Sequence, residues 1–504
     1  MASQHGGAPR RKKPNKNYSL AVTLSTAAAA FAAIAFLVLI QGNVLLRFAV
    51  AVGVLILSGR TIATANGIPN SYGLYLLGGK KGITFVERLS KMSPRFWVAF
   101  ADWGLAVSFG ILSYFLFGKY VSKKVIALGV ITNLAILLLV FPYLPVVLSF
   151  VSIPQITSKL PVASALIGIS PVAYVQGIFS SLGNQSATFY IFLASSLVGG
   201  FSLAVIMLLL FSGGIVVYNI GLFLFGLLTL HPNPGALAQT VPGVAPLIPG
   251  LTIPLVAGLI TLIIILVVHE FSHGVLARIA KVRIKSIGVI LLGVIPMGAF
   301  VEPDEREVRK LKESHQNRIS IAGVSANMLA CIVFFLLTFA ILAYVFPVIS
   351  TDGVLVTQTI PNSSAYGVIA PNTVILSWNN VPIQNAFDLL QVETNYTPGT
   401  PVKIGTNNGT FTLTPSAQGK LGIYWTPAKL TSSYQAVNFL YAVAALSFGL
   451  NFFIAIFNLL PLPAFDGWRI YQNKIKNKKL LRLLAFVMVV AILLNVLPWV
   501  WTIG

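Results

Sequence analysis

The residues best placed to do chemistry are His269-Glu270-Phe271-Ser272-His273, which close a stretch from Ile253 to Val268 without a charge. Positions i and i+4 share one face of an α-helix, so both imidazoles can reach one ion. Zn2+ takes imidazole nitrogen at about 2.0–2.1 Å, and an H-E-x-x-H helix supplies two such ligands with the glutamate as general base. An ionisable group set in hydrocarbon is costly and marks a functional position by default.

Only five histidines occur in the 504 residues: His5, His231, His269, His273 and His315. Two of the five at ligand spacing around a glutamate, in apolar surroundings, weigh against their being ordinary helix residues. The motif still arises by accident, and a zinc site needs a third protein ligand. The single cysteine, Cys331, rules out an intramolecular disulfide and a cysteine-rich metal site. It lies in an apolar run and reads as a small buried hydrophobe.

Composition narrows the search for that ligand. Hydrophobic residues make up 56% of the chain and charged residues 9%, with a mean hydropathy of +0.85. This is the profile of a polytopic helical membrane protein. The acidic residues number twelve, few enough to weigh singly. Most fall in charged connectors or a polar insert; Asp102, Glu270 and Asp466 stand in apolar surroundings. Asp466 ends the run Asn458-Leu-Leu-Pro-Leu-Pro-Ala-Phe-Asp466-Gly467. Proline and glycine there break a helix at membrane depth, which is tolerated only where backbone is buried in protein or lines a cavity. A broken helix presenting a carboxylate can complete a helical histidine pair, so Asp466 is the expected third ligand and Asp102 the runner-up.

His269-Glu-Phe-Ser-His273-Gly274, followed by Asn458-x-x-Pro461-x-Pro463-x-x-Asp466-Gly467, resembles the site-2 protease family of intramembrane zinc metalloproteases. Arg318-Ile-Ser-Ile-Ala-Gly323-Val-Ser-Ala-Asn327 is similar to that family's Ala-Gly-Pro-x-x-Asn helix start, with Val324 replacing proline. Val294-Ile-Pro296-Met-Gly298-Ala-Phe-Val301 is similar to its Pro-x-Gly-Gly strand, with departures at Ala299 and Phe300. Phe465 and Trp468 depart within the aspartate motif; none of these changes touches an expected ligand. The resemblance covers about residues 253–504. It implies that His269, His273 and Asp466 hold one Zn2+ per chain, and that Glu270 takes the proton of the attacking water and returns it to the leaving amine. It makes Asn458 a candidate donor to the substrate carbonyl or developing oxyanion, the alternative being an amide that satisfies the broken backbone. Asn327 reads as a helix-packing residue beside Gly323.

Hydropathy gives about eleven spans: 18–40, 44–59, 96–117, 125–150, 160–182, 189–211, 213–230, 253–280, 319–346, 434–460 and 480–502. Basic residues cluster in the 1–17 tail, the 60–95 loop, 281–285 and the 469–482 loop. All four face the cytoplasm if seven spans precede the zinc helix, with Lys119, Lys123 and Lys124 as the one violation. The net charge of +22 is then loop charge that meets anionic lipid. Its scatter through membrane loops argues against nucleic acid as a partner. Arg47 and Asp102 read as snorkelling ends of the otherwise unreadable 18–230 region.

Residues 231–252 form a Pro-rich exterior loop. Residues 253–346 and 432–504 read as two halves of a catalytic core, the first carrying a small sheet over 282–301 whose edge can pair with an extended substrate. Residues 351–428 are polar and strand-like, and resemble a PDZ domain in which Asn372-Thr373 replaces the usual Gly-Asp. The resemblance makes this insert a substrate filter, or else a folded spacer. Topology puts it outside the cytoplasm, where the N-x-S/T acceptors Asn362, Asn395 and Asn408 fit.

The chain is thus expected to be an intramembrane zinc endopeptidase acting on single-span membrane proteins within the bilayer. The other classes are a transporter or ion or proton channel using a buried His/Glu/Asp cluster, and an inactive scaffold, against which the intact His269, Glu270, His273 and Asp466 argue.

Overall fold

The computed structural model describes residues 16–39, 44–79, 81–140, 187–231, 233, 235–238, 249–250, 252–345, 350–417, 419–430, 434–463 and 465–499. The basic tail over 1–15, the expected 160–182 span and most of the Pro-rich loop lie outside these residues. Among the described residues, seven helices are long and apolar enough to cross a membrane: Asn17–Leu37, Lys123–Val140, Tyr190–Leu228, Leu255–Ile279, Glu313–Val345, Gln435–Phe457 and Lys478–Val496. In hydrocarbon a helix satisfies its own backbone, which is why these apolar runs take that form.

The chain divides into two compact units. The first comprises Met1–Gly129, Gly199–Asn327 and Ile454–Gly504; the second comprises Val130–Val198 and Met328–Phe453.

In the first unit, α1 (Lys16–Leu39) and α2 (Val44–Ala65) form a helical hairpin. Asn66 Nδ2 donates to Thr23 Oγ1 at 2.8 Å and Arg47 Nε to the Leu37 carbonyl at 2.8 Å. The apolar part of α2, Ala49–Ala65, is shorter than the seven spans. Next come β1 (Asn70–Ser71), β2 (Leu74–Gly79) and the amphipathic α3 (Lys81–Met92). Sequence alone reads this stretch as a basic loop. Its strands instead pair with β3 (Ile284–Leu292), which pairs with β4 (Ile295–Pro303), giving an antiparallel sheet in the order β1-β2-β3-β4. Leu74 stands opposite Leu292 and Ile287 opposite Val301; among the described residues no strand pairs with the outer side of β4, which is an edge.

Residues 96–117 are not one span. α4 (Pro94–Phe109) and α5 (Leu112–Phe117) part at Gly110, and the chain doubles back. The Phe109 and Phe117 rings meet at 5.3 Å, and Arg318 reaches both Asp102 and the Tyr120 carbonyl. α6 (Lys123–Ala135) follows. The expected spans 189–211 and 213–230 fall within α7 (Ala187–Leu228), two helical segments that meet at Gly200, which is non-helical at φ 64. A side chain at Gly200 would strike the Ser108 backbone at 2.3 Å, so only glycine fits this kink. The Ser212-Gly213-Gly214 stretch, where a break was expected, stays helical, since glycine weakens a helix by about 1 kcal/mol without removing a hydrogen bond.

α8 (Leu255–Ile279) carries the H-E-x-x-H motif. After β4, Asp304 caps α9 (Glu305–Lys310), accepting from Arg306 N at 2.9 Å. Then come α10 (Glu313–Ala340), α12 (Tyr434–Phe457), α13 (Gly467–Lys474) and α14 (Lys478–Val496), with α11 lying in the insert described next.

The second unit contains a six-stranded antiparallel sheet of order β10-β5-β6-β8-β9, with β7 on β6. Its strands are β5 (Ser350–Thr359), β6 (Val374–Trp378), β7 (Val381–Pro382), β8 (Val402–Thr406), β9 (Gly409–Leu413) and β10 (Ile423–Leu430). α11 (Ala386–Thr394) packs Leu389 into a core with Val354, Val356, Ile375, Trp378 and Ile404. Alternating apolar residues on the strands place these side chains on one face.

Candidate metal centre

His269 and His273 sit one turn apart on α8, with ring centroids 4.9 Å apart and their Nε2 atoms 3.2 Å apart. Their side chains are 11% and 13% exposed, which makes an unpaired role for either costly. α3 covers the far side of this turn. Phe85 packs on Phe271, the residue inside the motif, at 5.3 Å between centroids, and Glu87 pairs with Arg278 at 2.8 Å.

Asp466 arrives from the break after α12. Pro461 and Pro463 lack an N–H and cannot continue the helix. The backbone instead closes on itself: Leu460 N donates to the Phe457 carbonyl at 3.0 Å, Phe465 N to that of Leu462 at 3.0 Å, and Gly467 N to that of Asn458 at 2.8 Å. Leu459, Leu460 and Leu462 are buried beneath this turn. The last of these bonds fixes the ends of the motif against each other, and α13 starts at once.

Asp466 Oδ2 lies 3.1 Å from His269 Nε2 and 3.3 Å from His273 Nε2. It is nevertheless buried without a hydrogen-bond partner. Three donors on a tetrahedral Zn2+ at about 2.0–2.1 Å stand about 3.3 Å from one another. The three separations here match that triangle, and a cation at its centre would answer the orphaned carboxylate oxygen. Two imidazoles and a carboxylate are also a donor set that zinc favours. Among the described residues this is the His/Asp cluster whose ligand atoms fall within metal-binding reach of one another.

One face of α10 lines the histidine pair at i, i+4 and i+8. The Ile319 carbonyl lies 2.7 Å from His273 Nδ1, and Asn327 Nδ2 lies 3.1 Å from His269 Nδ1. Between them, a Cβ on Gly323 would come within 2.5 Å of His269 Nε2 and His273 Nε2, so the imidazoles use the space a side chain would take. From sequence, Asn327 reads first as a helix-packing residue beside Gly323. The signal that could have found them is their matching period: spacings of four on both helices.

Glu270, between the two histidines in sequence, is held by β4. Its Oε2 accepts from the Val301 N–H of β4 at 3.0 Å. Since Val301 spends its N–H on Glu270, positions 301 and 299 turn their backbone groups to the open edge rather than to β3. The edge strand and the carboxylate are thereby adjacent.

Asp102, the runner-up ligand, is elsewhere engaged. Its carboxylate receives Arg318 Nε at 2.7 Å and Nη2 at 2.8 Å, a two-pronged buried pair rather than a snorkelling end. Next to it, Asn317 Nδ2 donates to Tyr120 Oη at 2.8 Å, and Asn473 Nδ2 to Asn317 Oδ1 at 2.8 Å. Lys474 pairs with Glu313 at 2.6 Å and also donates to the Leu116 carbonyl, while Tyr471 bonds Ser202. The α4–α5 hairpin thus grips α10 and the helix that follows Asp466. Asn458 has a half-buried side chain and contributes its carbonyl to the turn.

Residues 257–498 match the sequence profile of peptidase family M50. Over 237 residues the chain is 29% identical to the uncharacterized protein MJ0971 of Methanocaldococcus jannaschii, covering 46% of this chain and 61% of that protein. The chain therefore spans less than two thirds of the length of this curated relative. The histidines, Glu270, Gly323, Asn327, Asn458 and Asp466 fall inside the matched residues, whereas β1, β2, α3 and the α4–α5 hairpin fall outside.

Proposed function

We propose, from the match of residues 257–498 to peptidase family M50, that this chain is a zinc metalloprotease of the site-2 protease kind, an intramembrane endopeptidase that cuts single-span membrane proteins within or near the bilayer. The observation that carries the reading is the convergence of His269 Nε2, His273 Nε2 and Asp466 Oδ2, with Glu270 on the neighbouring helix position.

His269, His273 and Asp466 would hold one Zn2+. Bound there, zinc supplies Lewis acidity toward the scissile carbonyl and lowers the pKa of water toward about 7. Glu270 takes the proton of the attacking water and passes it to the leaving amine. Its bond to Val301 N–H keeps one carboxylate oxygen fixed and leaves the other for that proton. Asn458 donates to the oxyanion as it develops.

A helical peptide bond is shielded by its own hydrogen bonds, so the substrate must be extended. The free edge of β4 offers the backbone groups of Ala299 to an incoming strand beside Glu270. The 351–428 insert acts as a PDZ-like filter; its sheet with a helix against it supports that reading.

The N-terminus lies in the cytoplasm and the insert outside it. The doubling back of α4–α5 supports this orientation, because it brings Leu116 and Tyr120 beside Lys474 and Asn317. Lys119, Lys123 and Lys124 then share the side of the 469–482 basic loop, and the one violation of the positive-inside pattern disappears.

The test is proteolysis of a model single-span substrate in liposomes by wild type and Glu270→Gln, with zinc measured in both. Cleavage by the wild type alone, with about one zinc in each protein, is the expected result. A wild type without zinc sinks the reading and favours a transporter that uses the buried cluster.

A further inference from the structure

We propose that Asn327 is a positioning residue: its side-chain oxygen accepts a hydrogen bond from His269 Nδ1–H and so holds the His269 Nε2 lone pair toward Asp466. The proposal rests on the zinc-peptidase reading above and adds to it the residue that sets the state of one ligand.

A neutral imidazole carries its proton on one ring nitrogen, and only the other can bind a metal. For His273 the surroundings decide. A carbonyl oxygen is an acceptor only, so the Ile319 carbonyl 2.7 Å away requires a proton on Nδ1 and frees Nε2. Among the described residues, the partner of His269 Nδ1 is an amide rather than a carbonyl. Two turns along the same helix face stands Asn327, fully buried, with its amide 3.1 Å from His269 Nδ1.

As oriented, Nδ2 faces the ring while Oδ1 is buried without a donor. That arrangement makes Nδ1 the acceptor and puts the proton on Nε2, facing His273 Nε2 at 3.2 Å and Asp466 Oδ2 at 3.1 Å. A protonated Nε2 cannot bind a metal. A half-turn of the amide exchanges its two ends, gives the orphaned oxygen a donor and moves the ring proton to Nδ1. The metal-competent triangle therefore requires the oxygen toward the ring. An outer hydrogen-bond partner of this kind fixes ligand tautomer and raises ligand basicity.

An acceptor role separates two variants that a packing role would not. Asn327→Asp keeps an oxygen at the ring and has no donor; Asn327→Leu keeps the volume and has neither. The full chain in detergent is titrated with Zn2+ against a chromophoric chelator, and with Co2+ by its visible absorption. Asn327→Asp is expected to bind Zn2+ within a few-fold of wild type, and Asn327→Leu about 10- to 100-fold more weakly, with Co2+ absorption altered in the Leu variant alone. Asp as weak as Leu, or Leu equal to wild type, overturns the proposal. Imidazole 15N resonances of metal-free wild type at neutral pH, recorded with and without Zn2+, need no variant: His269 bound through Nε2 with Nδ1 protonated is expected, and binding through Nδ1 overturns it. A wild type that binds neither metal is a separate result, because it sinks the peptidase reading itself.

Discussion

Val301 gives its backbone N–H to Glu270 Oε2 at 3.0 Å, tying the free edge of a sheet to the residue between the two histidines. Because that N–H faces the edge and not β3, proline at 301 removes this bond without breaking a ladder bond. Val301→Pro is expected to retain zinc while its kcat falls about 10- to 100-fold, on the scale of a lost orienting partner. Unchanged kcat in a single-turnover assay would show that Glu270 needs no such tether.

Gly323→Ala should spare the helix and damage the site. Alanine is the better helix former by about 1 kcal/mol. Its methyl would nonetheless lie 2.5 Å from both Nε2 atoms. Zinc content measured on the purified variant is expected to drop toward zero while its circular dichroism stays that of the wild type; full zinc occupancy would refute the close approach.

The pair between Asp102 and Arg318 is buried, with side chains 10% and 14% exposed. Either single change, Asp102→Asn or Arg318→Met, strands a charge and is expected to cost about 3–5 kcal/mol in detergent unfolding. The double variant should cost clearly less than the two together. Additive losses would mean that the ions do not depend on each other.

Glu393 carries an acid dependence of its own. Burial raises its pKa above the ordinary 4.5, with the Lys420 ammonium at 2.6 Å working in the other direction. A carboxyl whose folded pKa is raised favours the fold in its protonated form. That contribution is complete below the unfolded pKa and is lost as pH rises through the folded one. Tryptophan fluorescence from Trp378 and Trp425 should report an insert that unfolds more readily as pH climbs from the acid side, and Glu393→Gln should flatten the trend.

The convergence of His269, His273 and Asp466 was legible from sequence because each was chemically out of place: hydrocarbon tolerates two histidines and an aspartate only where they serve one another or an ion. The hairpin of β3 and β4 was legible for a similar reason, since β-branched alternation too short to span must fold on a surface. What stayed hidden was pairing between distant segments. Nothing local in Leu74–Gly79 announces a strand, because its partner lies in residues 287–292 and supplies the hydrogen bonds. Asp102 misled for the same cause, its partner Arg318 being a long-range neighbour. Apolar length also joined 96–117 into one expected span, since hydropathy does not register the turn at Gly110 that parts α4 from α5.

The order of His269, His273 and Asp466 along the chain has a consequence for biosynthesis. The ribosome delivers His269 and His273, and their helix enters the bilayer, long before the broken turn that bears Asp466 has been made. Two imidazoles alone hold zinc weakly, since a catalytic site of this kind takes three protein ligands. On the proposed reading, a nascent chain that stops before Asn458 lacks Asp466 and with it the third ligand. On that reading the site is complete only once the turn over 458–467 has been made.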